Sequence, residues 1–191
     1  MRALLLLITL VLCGCANDLR KDHPFDGETN SGPLVTAERD GDKVTLHIDA
    51  TNKGSQVFVD LDEAREMKTD EAFSTNGWDI SVQRFVISIN SGASNPTGNV
   101  EVLVLKGQDW NTLTQAPASG YAKDTNEHLF NTEYDGWYLY DLGKHRLAAR
   151  DLIYVVHTSD GAYVKLRILD YYDAAGTPAV LTMQYETLTP P

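Results

Sequence analysis

Polar and apolar residues alternate along most of the chain, and the alternation predicts strands. The segment Trp78–Asn90 is the most telling. Trp78, Ile80 and Val82 are apolar at every second position, and then Phe85, Ile87 and Ile89 carry the apolar positions on the opposite parity. A period of two is a strand signal, and a slip of one residue turns every side chain to the other face. The segment therefore reads as one long strand with a β-bulge near Gln83-Arg84, or as a strand passing from one sheet to a second. Upstream, Val44, Leu46 and Ile48 alternate with Thr45, His47 and Asp49, a half-buried strand. Ser55–Leu61, Asn99–Leu105, Gly136–Leu142 and Pro178–Thr187 read as further strands, and Asp62–Lys68 as the one short helical stretch. Lys106–Asp135 reads mostly as loop. Ile153–Leu169 reads as a hairpin closed by Asp160-Gly161, a pair suited to turns that need positive φ. With those two residues alone in the turn, His157 faces Val164, Val155 faces Leu166 and Ile153 faces Ile168, all on one apolar face. The expected fold class is all-β.

The N-terminus changes the picture of compartment. Arg2 precedes the apolar run Ala3–Leu12, which reads as a signal peptide, too short for the ~20 residues of a spanning helix. Leu12-Cys13-Gly14-Cys15 resembles the lipobox of bacterial lipoproteins, which implies cleavage before Cys15 and acylation of its thiol. Residues 1–14 are then the leader. Residues 15–42, polar and rich in Gly, Pro and Asp, are a flexible tether. Residues 43–191 are one domain. Ala16 after Cys15, where Asp is the usual inner-membrane retention signal, points to the outer membrane of a Gram-negative bacterium. With Cys13 cleaved away and Cys15 acylated, no thiol remains for a disulfide, a metal or nucleophilic catalysis. Losing Arg2 leaves 15 Lys and Arg against 27 Asp and Glu, a net charge of −12. So acidic a chain repels nucleic acid and anionic headgroups, and the membrane contact is the lipid itself.

Three stretches carry a family resemblance. Trp78–Gly92 (WDISVQRFVISINSG), Tyr154–Tyr172 (YVVHTSDGAYVKLRILDYY) and Leu181–Thr187 (LTMQYET) resemble, in order and spacing, the signature strands of HmuY-like proteins. The resemblance implies a cupped, multi-strand β domain behind a lipidated tether, with Trp78, Asp79 and Arg84 as a structural signature. It implies a haem-binding surface lipoprotein that passes haem to a TonB-dependent outer-membrane receptor and serves iron acquisition. Two axial side chains from loop-borne fingers hold the iron in such proteins. Direct spacing from Trp137 puts one ligand position at Leu142, which has no donor; His145 is close by. His128 is the one histidine in the segment upstream. His128 and His145 are therefore the candidate haem ligands, and Tyr134 and Tyr140 the candidate pocket walls. His47 falls on a polar strand face, His157 at the turn end of a core face, and His23 in the tether.

No G-x-S-x-G, H-E-x-x-H or P-loop occurs, and the expectation is a non-enzymatic protein. Two functions stay open. One is haem carriage; the other is a lipoprotein that uses the same scaffold for a different ligand or for protein contacts.

Overall fold

The computed structural model describes residues 33–191. Twelve strands and two short helices follow one another: β1 (Val35–Asp40), β2 (Lys43–Asp49), β3 (Val57–Asp60), β4 (Arg65–Met67), α1 (Thr69–Thr75), β5 (Ile80–Gln83), β6 (Val86–Ile89), β7 (Glu101–Lys106), α2 (Leu129–Thr132), β8 (Tyr138–Asp141), β9 (Arg146–Ala149), β10 (Leu152–His157), β11 (Tyr163–Tyr172) and β12 (Pro178–Thr187). They form a large antiparallel sheet in the order β1-β2-β12-β11-β10-β7, a small one in the order β4-β3-β5-β6, and a separate β8-β9 hairpin. The fold is all-β. No helix among the described residues is long and apolar enough to cross a membrane. The leader, Cys15 and His23 lie outside the described residues.

The main core lies between the two sheets. Leu46, Ile48, Leu166, Leu181 and Met183 of the large sheet join Val59, Ile80, Val82, Ile87 and Ile89 of the small one in a single buried cluster. Burial of this apolar surface, at about 25 cal/mol per Å², is the dominant favourable contribution. Each sheet is also covered on its outer face. Trp110, Leu113, Ala116 and Leu188 close over Ile153 and Val155 of β10. Phe58 and Trp78 pack with Met67 and Ala72 on the outer face of the small sheet, beneath α1.

Four expectations are corrected. The phase change in Trp78–Asn90 is neither a bulge nor a strand changing sheets. Gln83 pairs with Val86, and Arg84-Phe85 form a two-residue hairpin turn. Arg84 has φ 57°, the work usually left to Asn or Gly, which is why the turn carries no turn residue to read. Its strain is offset from outside: the Phe85 carbonyl accepts from Asn131 Nδ2 and from Trp137 Nε1, both at 2.9 Å, and Asn131 Oδ1 accepts from the Ile87 amide at 3.0 Å.

The β10–β11 register differs by one residue. Val155 pairs with Lys165, Tyr154 with Leu166 and Val156 with Val164. Ser159, Asp160 and Gly161 make a three-residue loop, with the Gly161 amide on the Thr158 carbonyl at 3.1 Å and Gly161 at φ 88°. That is a type I turn followed by a left-handed residue. One extra loop residue moves Leu152, Tyr154 and Val156, not Ile153 and Val155, onto the main core. Alternation does not reveal this, because Leu152 through Val156 are all buried.

Asp62–Lys68 is not helical. Asp60 pairs with Arg65 across a four-residue turn, and the Asp60 carboxylate takes the Glu63 amide at 2.9 Å. The helix follows, at Thr69–Thr75. Finally, the tether does not reach residue 42. Val35–Asp40 pairs with Lys43–Ile48 along its whole length, around Gly41, and adds an edge strand to the large sheet. Only Val35 of that strand is buried, so it shows little apolar pattern.

Candidate functional site

The outer face of the small sheet carries a cavity of about 240 Å³. Its floor is the outward side of the strands: Phe58 of β3, Ser81 of β5 and Ser88 of β6. These alternate with the core-facing residues, so the pleat that buries Ile80, Val82, Ile87 and Ile89 presents them to the other side. Phe73 of α1 and Trp78 form aromatic walls, each edge-to-face with Phe58 at 5.4 and 5.2 Å between centroids. Phe73 is 68 % exposed and stands at the rim. Ser94, Asn126 and His128 close the remaining side.

His128 is held from behind. Its Nδ1 donates to Asp124 Oδ2 at 3.0 Å, with the Ser88 and Ser94 hydroxyls at 3.3 and 3.4 Å. The Asp124 side chain is 1 % exposed. Besides His128 it accepts from the amides of Thr125 and Leu129 at 3.1 Å and of Ile89 at 3.2 Å, and from the Ser94 hydroxyl at 2.5 Å. Gly92, at φ 55°, permits the close approach of the preceding loop. A Cβ there would stand 2.1 Å from the Asp124 carbonyl oxygen. His128 itself has φ 62° and ψ 126°, a costly conformation for a residue with a Cβ. It is over-determined by Asp124 and by Phe130 two residues on, which is fully buried and stacked on Tyr154 with centroids 4.0 Å apart.

A carboxylate on Nδ1 fixes the tautomer and leaves Nε2 as the free ring nitrogen, the usual support of a metal-binding histidine. The same geometry does not build a serine nucleophile. Asp124, Ser88 and Ser94 all converge on Nδ1, whereas a proton relay needs the hydroxyl on the nitrogen opposite the carboxylate.

The candidate residues do not come together as expected. His145 sits in the turn between β8 and β9, at φ 51°, with Nδ1 2.8 Å from the hydroxyl of Tyr140. Neither His145, Tyr140 nor Tyr134 lines the His128 cavity. Tyr140 points to solvent on the hairpin, where its neighbour Leu139 is equally exposed. Tyr134 has φ 52° in a 3-10 turn that swings it away, into a separate cleft with Val102, Val104 and Leu129, and Lys106 lies over its ring at 5.6 Å. Asp124 and the aromatic walls went unread in the sequence. The i, i+4 spacing of Asp124 and His128 was the one local signal; Ser88, Phe58 and Phe73 reach the site only through tertiary pairing.

Trp78, Asp79 and Arg84 have structural positions. Trp78 is 2 % exposed. Asp79, fully buried, takes the amides of Leu61 and Ser159, both at 2.7 Å, and so ties the small sheet to the β10–β11 turn. Burial pushes its carboxyl up to about 7, against the pull of those two amides. Burial also raises Asp60 and Asp62, whose carboxylates converge with that of Asp79. Arg84 donates to the Thr51 carbonyl at 3.1 Å.

Several solved structures share the fold. One is an HmuY-like candidate heme binding protein from Bacteroides vulgatus (TM-score 0.58, 20 % identity, covering 81 % of this chain and 96 % of that one). Another is the apo HmuY analog of Tannerella forsythia (TM-score 0.58, 16 % identity, 83 % and 99 %). A third is a candidate lipoprotein from Bacteroides fragilis (TM-score 0.57, 16 % identity, 84 % and 97 %). No curated protein matches the chain. The sequence model of the HmuY protein matches residues 52–185, from the loop after β2 into the last part of β12, and the chain belongs to the HmuY family.

Proposed function

We propose that this chain is a non-enzymatic haem-binding lipoprotein, anchored in the outer membrane through Cys15, that delivers haem to a TonB-dependent receptor. The observation that carries the reading is His128. Its imidazole is oriented by a buried carboxylate, and the residue lines a cavity with aromatic walls. The residues fit the group in part. An imidazole of fixed tautomer suits iron, and Phe58, Phe73 and Trp78 suit a flat apolar ring. The cavity is smaller than the roughly 300–1,000 Å³ of most ligand pockets, so a bound porphyrin extends past Phe73 to solvent. Family membership and the neighbour described as heme binding agree with this reading.

The same small volume favours a second reading, a ligand smaller than haem on the same scaffold. An apolar cavity of about 150 Å³ takes up benzene, and 240 Å³ has room for one or two fused rings. Titration of the purified apo-domain with hemin separates the two. The haem reading predicts a saturable shift of the Soret band at micromolar hemin that is lost in His128→Ala. An unshifted spectrum favours the smaller ligand. For the anchor, Cys15→Ser abolishes partition into the detergent phase.

A further inference from the structure

Resting on the second of those readings, a ligand smaller than haem, we propose that the cavity beside His128 binds a neutral monosaccharide, free or at the end of a glycan chain. Its floor holds a hydroxyl that the fold leaves unpaired. Phe58, Ser81 and Ser88 lie in one row across β3, β5 and β6. Ser81 is only 2 % exposed, and its side chain makes no hydrogen bond among the described residues. A buried hydroxyl without a partner is costly, and a ligand that supplies one removes that cost. The indole N–H of Trp78, in the wall of the same cavity, has no acceptor among the described residues either. The carboxamides of Gln56 and Asn126 also line the space, exposed and without a partner among the described residues.

The lining selects the class of ligand. Apart from His128, none of its side chains can carry a charge, so an ion would enter without a counter-charge. A purely apolar ligand would leave the Ser81 hydroxyl and the two carboxamides unmatched. Hydroxyls and carboxamides both donate and accept, as the hydroxyls of a sugar do. Phe58, Phe73 and Trp78 supply aromatic faces for the C–H faces of a sugar ring, with Phe73 and Trp78 each inclined by 70° to Phe58. The volume of about 240 Å³ exceeds the ~150 Å³ that takes up benzene, so a six-membered ring enters with its substituents. Phe73, 68 % exposed, leaves the mouth open to a chain.

The test follows the indole N–H of Trp78 by proton–nitrogen correlation NMR of the purified protein, the signal being identified by its loss in Trp78→Phe. The probes are glucose, galactose, mannose and N-acetylglucosamine, their methyl glycosides, glucuronate as a charged sugar, and indole as an apolar ring. The expected result is a saturable shift with at least one neutral sugar at millimolar concentration, a weaker response to glucuronate, and binding at least tenfold weaker in Ser81→Ala. Gln56→Ala, at an exposed position, weakens binding as well without touching the core. A methyl glycoside that binds as well as its free sugar marks a chain end as the ligand, and its exclusion marks the free sugar. No shift with any neutral sugar, or a stronger response to glucuronate, overturns the proposal. A shift with indole alone also overturns it while leaving the smaller-ligand reading intact. Sugar binding unchanged in both Ser81→Ala and Gln56→Ala overturns the assignment to this cavity. A hemin Soret shift lost in His128→Ala, with no response to any small probe, refutes the smaller-ligand reading itself, and the proposal falls with it.

Discussion

His128 and His145 make a controlled pair. Both have positive φ, 62° and 51°, and both engage a polar partner through Nδ1. The difference lies one step further back. Asp124 is buried and held by four donors besides His128, one of them the first amide of α2. Tyr140 is half exposed, on a two-stranded hairpin that belongs to neither large sheet. A hydrogen bond orients a side chain only as firmly as its partner is itself fixed. By that measure His128 is preorganised for a ligand, and His145 is a surface residue.

Replacing the two partners breaks the comparison if it is wrong. Asp124→Ala leaves five donors without their acceptor, among them the buried amide of Ile89 and the half-buried amide of Leu129. Each unsatisfied buried group costs about 1–3 kcal/mol, and the expected loss in urea denaturation is about 4 kcal/mol or more. Hemin binding is lost with it. Tyr140→Phe removes a single exposed bond and is expected to change stability by less than about 0.5 kcal/mol.

The second prediction extends the contrast to another buried carboxylate. Asp79 has two amide donors and no cation, beside Asp60 and Asp62. Its folded value of about 7 lies above the ordinary 3.8. Folded protein therefore keeps a proton that the unfolded chain has lost. The resulting stabilisation is complete below about pH 4 and is lost as pH rises through 7. Its full size is on the order of 4 kcal/mol. Thermal melts should show Tm falling from pH 5 to pH 8, and Asp79→Asn should flatten that dependence. A Tm that rises over this range contradicts the assignment.

The smallest expected effect sharpens the comparison from the other side. His145→Ala changes neither stability, beyond about 0.5 kcal/mol, nor hemin affinity, beyond twofold. A tenfold loss of affinity would restore His145 as a ligand.

These contrasts also mark what was legible in the sequence. Alternation in β2, β7 and β12 was plain, because one face of each is buried and the other is not. β10 was legible as a strand but not in register, since both its faces are covered. The turn at Arg84 was hidden because its positive φ is stabilised by Asn131 and Trp137, more than 40 residues away in the chain. The site followed the same rule. His128 was visible as a residue type in the right segment. Asp124, Phe58 and Phe73, which give it an orientation and a cavity, come together only through the folding of separate elements. The pairing of His128 with His145 rested on order along the chain, and chain order does not report which face of the fold a loop occupies.

The most direct test of the central claim is a crystal structure of the hemin complex with the iron located by its anomalous signal. The account predicts an iron peak within bonding distance of the His128 ring, about 2 Å as is typical of metal–imidazole bonds, with Asp124 still on Nδ1. An iron peak beside His145, or anywhere outside the cavity walled by Phe58, Phe73 and Trp78, would contradict it.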